Sequence, residues 1–175
     1  MNVHVAPPAL AGLRFAAEQP EDGLAVDGLV ERAFGPGRLA KTAERLREHN
    51  RARHDLSFCA WDGERLAGAV RLWPVRIGST AAVFLGPVAV EPDWRRRGLA
   101  GELIARACGA AKASGETLVV LVGDLPLFAS SGFEPVPAVG VVLPGPVDYR
   151  RVLWRPLVPG AADGVSGEVV PASPV

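Results

Sequence analysis

The chain has 175 residues, 49% hydrophobic and 22% charged, which is enough apolar material for one globular domain with a sizeable core. Its 19 basic and 19 acidic residues give a formal net charge of +0, which argues against a general affinity for nucleic acid or a membrane surface. All but Lys41 and Lys112 of the bases are arginine, and with the abundant Ala, Gly and Pro this reads as genome composition rather than function. No stretch approaches the ~20 apolar residues of a spanning helix, and MNVHVAPPAL has no basic region before an apolar run, so a cytoplasmic location is expected. Cys59 and Cys108 sit among apolar neighbours, as reduced core thiols do. His4, His49 and His54 show no ligand spacing with them, so no metal site is expected.

In chain order, residues 1–12 read as a flexible leader and 13–18 as a first strand. Glu21 and Asp22 can cap a helix to about Ala33, with Leu24, Leu29, Val30 and Phe34 on one face, until Gly35-Pro36-Gly37 breaks it. A second, arginine-rich helix is expected over residues 39–49. Residues 56–61 and 65–75 read as a hairpin with Asp62-Gly63 at its turn, and after Gly78-Ser79 residues 81–90 form a fourth strand. Inside it, Gly86-Pro87 either makes a bulge that splays this strand from the next or merely ends one strand and begins another.

Residues 88–100, VAVEPDWRRRGLA, run from strand through a proline turn and three arginines into a helix carrying Leu99, Leu103, Ile104, Ala107 and Ala111 at helical spacing. A helix start has unpaired N–H groups and the positive end of the peptide dipole, so it can bind an anion. Gly98, Ala100 and Gly101 let a phosphate oxygen come close to those amides, and Arg95, Arg96 and Arg97 add neutralising charge. The plain alternative is a strand-turn-helix connection with solvated arginines. Neither G-x-x-x-x-G-K-[ST] nor G-x-G-x-x-G occurs, which removes the commonest nucleotide folds. A strand follows at 117–122, then GDLPLFASSGFEP at 123–135 and a Val/Pro/Gly-rich region with a closing hairpin over 139–143 and 149–157. Residues 159–175 read as a flexible or partly docked tail, with no repeat and no second domain.

Arg95, Gly98 and Ala100 spell R-x-x-G-x-A behind a V-x-V-x-P strand end, and this resembles the pyrophosphate-binding motif of the GNAT superfamily, the acyl-CoA-dependent N-acetyltransferases. The segment at 117–135 looks like that family's strand five, short helix four and following Gly-Phe, so the resemblance covers roughly residues 13–158 as a single domain. It implies an α/β (α+β) fold: a mixed, mostly antiparallel sheet of roughly six to seven strands flanked by about four helices, with strands four and five splayed. It also implies acetyl-CoA as co-substrate, a small-molecule or peptide amine as acceptor, and a chain able to form a homodimer. Carried over by motif, the coenzyme A contacts fall on Val88, Ala89, Val90, Arg95, Arg96, Arg97, Gly98, Leu99, Ala100, Gly101 and Phe128, with backbone groups of Val88 and Val90 facing the pantetheine amides. In the family the first two helices cover the acceptor side, which makes Arg45, Arg47, Arg51, Arg53 and His54 candidates for an anionic substrate or a solvated helix face.

Two departures from the family matter. The tyrosine that in many members protonates the coenzyme A thiolate is Phe128 here, the neighbouring tyrosine is Leu127, and the sole tyrosine, Tyr149, is far away in sequence. The strand-four glutamate used as a base by some relatives is Phe84. The remaining catalytic candidates are Asp124, which also suits the N-cap of helix four, Ser130, which like Ser131 also suits a local backbone cap, and His54. The reading is an N-acetyltransferase acting by direct attack in a ternary complex. The alternative is a degenerate, CoA-binding sensor or partner-binding module.

Overall fold

The computed structural model describes residues 7–137 and 140–172. The first half of the expected leader with His4, Val139 of the expected closing hairpin, and residues 173–175 of the expected tail lie outside the described residues.

Among the described residues one sheet has nine strands: β1 (Arg14–Ala17), β2 (Phe58–Asp62), β3 (Arg65–Ile77), β4 (Thr80–Val90), β5 (Leu118–Val122), β6 (Glu134–Pro135), β7 (Val141–Val142), β8 (Val152–Pro156) and β9 (Gly167–Pro171). Along the path β1-β2-β3-β4-β5-β8-β6 every pair is antiparallel except β4–β5; off this path β7 pairs in parallel with β9, not with β8 as in the expected closing hairpin, and β9 pairs antiparallel with β3. More strands form than the six to seven expected, because β6 and β7 are two-residue pieces and β9 arises beyond Pro159. β9 pairs with Val75, Arg76 and Ile77, the half of β3 that lies beyond the end of β2. It thereby covers an edge that would otherwise present unpaired backbone groups.

Among the described residues four α-helices form, α1 (Gly23–Phe34), α2 (Thr42–Arg45), α3 (Leu99–Ala113) and α4 (Leu125–Phe128). On α3, Leu99, Leu103, Ile104, Ala107 and Ala111 recur every three or four residues and bury against Val70, Leu72, Val83, Leu85, Val119 and Leu121. The alternate residues of the strands face the other way. There Val26, Leu29 and Val30 of α1 meet Cys59, Ala69 and Ala89, and Leu46 meets Val75, Phe84, Val120 and Trp154. The structure is thus an α/β domain with helices on both faces of a mixed, mostly antiparallel sheet.

Three local expectations change. Leu10, placed by sequence in a loose leader, ends a 3-10 turn and is only 1% exposed in the α3-side core. Asp22 does not cap α1; its carboxylate accepts the Gln19 N–H at 2.9 Å and closes the preceding 3-10 turn. The expected helix at 39–49 breaks into a 3-10 turn (Pro36–Ala40), α2 and further turns. Asn50 is part of the reason: its side-chain amide donates to Leu46 O (3.0 Å), the carbonyl that a continued helix would give to the Asn50 backbone N–H, and also to Pro74 O (2.9 Å). The Thr42 hydroxyl donates to Pro146 O, tying the same segment to the loop before β8.

One charged residue lies within the apolar run of β3. Arg71 forks onto Glu18, with Nη2 to Oε1 at 2.6 Å and Nε to both carboxylate oxygens at 3.0 Å, and its Nη1 reaches Asp27 at 2.7 Å. Burial opposes the Arg71 charge, but the hydrogen bonds it donates to Glu18 and Asp27 and the attraction of their charges outweigh it, and its pKa is raised. Replacing Glu18 by alanine leaves this buried guanidinium with a mostly exposed partner, so Glu18→Ala is expected to lose roughly 3 kcal/mol of unfolding free energy in urea titration.

Cys59 and Cys108 are buried free thiols. Burial, together with the nearby charges of Glu18 and Asp22, pushes the Cys59 thiol up to about 12. A raised acid pKa gives stability that is complete below the unfolded value and is lost as pH rises toward the folded one. The native protein should therefore resist iodoacetamide at pH 8, and its stability should fall relative to Cys59→Ala between about pH 9 and pH 12.

Candidate active site

The register of β4 sets the site. Leu85 pairs with Leu72 and Val88 with Val70, so Gly86 and Pro87 together oppose Arg71, and β4 carries one extra residue there. On its other edge β4 meets β5 only at Val83–Val119 and Phe84–Val120. Beyond Gly86-Pro87, joined by a cis peptide bond, β4 has no β5 partner while β5 continues alongside β8 to Val122. The expected splay is present.

Backbone direction in the opening follows from alternation. The Glu91 N–H donates to Ala67 O at 2.9 Å, so Glu91 and Ala89 turn their polar groups toward β3, and Val88 and Val90 turn theirs toward the gap. Consistent with this, Val90 O accepts from the Arg95 Nε at 3.2 Å rather than from a strand. Val88 and Val90 are half-buried against the α3-side core, and Ala89 is buried on the α1 side.

After β4 the chain makes a 3-10 turn (Pro92–Trp94) and reaches α3 through Arg95, Arg96 and Arg97. Arg96 and Gly98 both have positive φ, 58° and 86°, and bracket Arg97 in a loop that re-aims successive amides. Holding Arg96 there costs about 1–2 kcal/mol, whereas glycine adopts it freely. The first internal bond of α3 runs from the Glu102 N–H to Gly98 O (3.0 Å), so the amides of Leu99, Ala100 and Gly101 precede the hydrogen-bonded ladder. A Cβ built at Gly98 or Gly101 meets nothing within 4 Å. The three arginines are exposed, Arg97 lying over the Trp94 ring at 5.0 Å. Open amides, a helix N-terminus and three exposed cations make an environment suited to a polyphosphate.

Across the sheet, beside the break in β4, a cavity of about 350 Å³ is lined by Arg38, Glu44, Arg47, Arg71, Trp73 and Pro87, with Asp27 and Glu48 at its edge. The Trp73 indole N–H donates to Gly86 O at 2.6 Å, and the Arg47 guanidinium stacks 5.6 Å from the Phe84 ring centre. Gly86 has a φ of 135°, and a Cβ there would lie 2.9 Å from Arg47 Nη2, so this approach requires glycine.

The catalytic candidates separate. Asp124 occupies the N-cap position of α4 but makes no cap bond; its carboxylate accepts from the Arg151 Nε at 2.9 Å. Ser130 is exposed in the following 3-10 turn (Ala129–Ser131). His54 sits beside Arg53, whose guanidinium bonds Glu116 and Ser114 past the C-terminal end of α3. It therefore lies roughly 20 Å, the length of that helix, from the phosphate-suited loop. Phe128 ends α4 with its ring over Gly123 and edge-to-face on Phe133 at 5.9 Å, packed against the core near the end of β5. Tyr149, remote in sequence, comes to that same end, because Val122 pairs with Val152 and the Gly123 N–H donates to Arg151 O at 2.8 Å. Of the arginines considered for an anionic substrate, only Arg47 lines the cavity; Arg45 pairs with Glu48, and Arg51 is exposed. Arg38, Arg71 and Trp73 were missed, although an arginine in the run LAGAVRLWPV was a legible sign of a buried charge.

Comparison with known proteins agrees with this geometry. Residues 25–133 match the model of the acetyltransferase (GNAT) family. The uncharacterized N-acetyltransferase YhbS of Escherichia coli K12 is 32% identical over 120 residues, 67% of this chain and 71% of that protein. The crystal structure of YhbS from Escherichia coli in complex with CoA superposes with a TM-score of 0.77 at 28% identity, covering 96% of this chain and 93% of that one. A GNAT family acetyltransferase from Brucella melitensis, in complex with acetyl-CoA, shares the fold with a TM-score of 0.66 at 23% identity over 90% of this chain and 94% of that one. With a splayed parallel pair, an open helix N-terminus behind R-x-x-G-x-A and these relatives, the chain belongs to the GNAT family of acetyltransferases.

Proposed function

We propose that the protein moves an acetyl group from acetyl-CoA to a primary amine by direct attack in a ternary complex. The observation that carries this reading is the gap between β4 and β5 opening beside the bare amides of α3. In it, Leu99, Ala100 and Gly101 amides with Gly98 receive the diphosphate, and Arg95, Arg96 and Arg97 neutralise it. The gap-facing backbone groups of Val88 and Val90, with Ala89 fixing their strand to β3, hold the pantetheine amides and orient the thioester carbonyl. Phe128 supplies an apolar wall near the sulfur.

The acceptor amine, of pKa about 10 when lysine-like, must lose its proton before its nitrogen can bond the carbonyl carbon. Water takes that proton; after attack the nitrogen gives a second proton to water as the C–S bond breaks, and the thiolate takes one proton back from solvent, leaving amide, free thiol and one net proton. A thiol of pKa about 8.5 leaves tolerably as its anion, so a phenyl ring at Phe128 is compatible with turnover. Aligning two substrates can supply roughly 7–11 kcal/mol of the barrier reduction, which relieves the need for reactive side chains. The degenerate-sensor alternative is not favoured, since the relatives are named N-acetyltransferases. A cytoplasmic location fits the two free buried cysteines.

Coenzyme A and acetyl-CoA at about a hundredfold over Kd should raise the melting temperature on the order of 5–10 °C, and amines should release free thiol above the hydrolysis background. Gly98→Glu puts a carboxylate where the diphosphate binds, at a strain cost of about 1–2 kcal/mol. It should still fold and lose both effects. A variant stabilised by coenzyme A as well as the wild type would remove this site from consideration.

A further inference from the structure

Building on the acetyltransferase reading, we infer that the acceptor carries a carboxylate as well as its amine, and that Arg47 with Arg38 holds that carboxylate in the cavity beside Gly86-Pro87.

The cavity's arginines are unequally compensated. Arg71 has two carboxylates, Glu18 and Asp27, and needs nothing more. Arg47 and Arg38 share one: Glu44 accepts from Arg47 Nη1 at 3.0 Å through one oxygen and from Arg38 Nη1 at 3.4 Å through the other. Glu31 approaches Arg38 only at 3.7 Å and from an exposed side chain. The Nε groups of both Arg38 and Arg47 are buried and make no hydrogen bond. Burial lowers the Arg47 pKa even with Glu44 beside it, and Arg38 and Arg71 push in the same direction. Each guanidinium gives only its Nη1 to Glu44, which leaves Nη2 of both uncommitted among the described residues. A largely buried cation with an uncommitted Nη2 and a half-share of one anion is the arrangement that a ligand carboxylate completes, and a guanidinium matches a carboxylate in shape.

Position makes this a substrate contact. Arg47 Nη2 lies against Gly86, two residues before Val88, where the backbone turns toward the thioester. An acceptor anchored on Arg47 therefore presents its amine to the acetyl group across a short spacer. Asp27 and Glu48 also line the cavity, and their carboxylates favour an ammonium group on arrival. The volume of about 350 Å³ is at the small end of ligand pockets, so the anion and the amine belong to one small molecule or one chain end.

The test compares matched amines in acetyl-CoA-dependent thiol release: glycine, β-alanine, 4-aminobutyrate and phenylalanine, each against its primary amide. At least one acid should exceed its amide by about tenfold or more in kcat/KM, the discrimination a charge-assisted hydrogen bond provides. Arg47→Gln should bring that ratio close to one, and Arg47→Lys should restore it in part. If Arg47→Gln does not fold, the wild-type pairs still decide, with Arg38→Gln as the second variant. Amides equal to or better than their acids in every pair, or a preference that survives Arg47→Gln, overturn the inference while the acetyltransferase reading stands. No thiol release with either series, in protein that acetyl-CoA still stabilises, overturns both.

Discussion

β4 and β5 begin as parallel neighbours and part company where β4 carries one residue too many. The extra residue at Gly86-Pro87 keeps β4 in register with β3 on one side while freeing it on the other, because proline offers no N–H and glycine no side chain. Had the ladder continued, the polar groups of Val88 and Val90 would be spent on β5 and no edge would remain to grip an extended ligand. The same two residues leave room for Arg47 and lend a carbonyl to Trp73, so the proposed acceptor cavity depends on them too. The two substrates are thus proposed to meet across one irregularity in an otherwise regular sheet.

Arginine serves three different physical ends in this chain. Arg95, Arg96 and Arg97 are exposed and face no carboxylate among the described residues, so their charges are available to an anion from solvent. Arg71 is interior and matched by Glu18 and Asp27, an arrangement that fixes β1, α1 and β3 relative to one another. Arg47 is interior and under-matched. Composition treats these residues alike; burial and the number of facing carboxylates distinguish them.

Much of this was legible in the sequence because it depended on local pattern. The 3.6 periodicity after Gly98 and the Gly86-Pro87 interruption each act over a few residues and stand where the sequence put them, and the hairpin turn expected at Asp62-Gly63 falls one residue later, at Gly63-Glu64. What escaped depended on distant partners. The 39–49 segment has good helix formers, yet Asn50 reaching Pro74 and Thr42 reaching Pro146 give its backbone other anchors. Asp124 sits at a cap position, but Arg151 from the far side of β5 takes its carboxylate. Tyr149 is remote in sequence and comes to the end of β5 only through the return of β8, and the candidate His54 is set apart by the length of α3. The proposed site's backbone half lies in one stretch and so could be proposed from sequence, whereas its side-chain half is assembled from α1, α2 with the turns on either side of it, β3 and β4.

The pairing of β9 with the outer half of β3 bears on how the chain matures. Ile77 waits for Val169, so a growing polypeptide carries a long, half-uncovered strand through most of its synthesis. During that interval the exposed edge can accept any extended segment, its own or a neighbour's, and a holdase or rapid dilution becomes valuable. Strand-swapped dimers and yield losses on shortening the C-terminal segment would both trace to this late arrival rather than to the chemistry of the cleft.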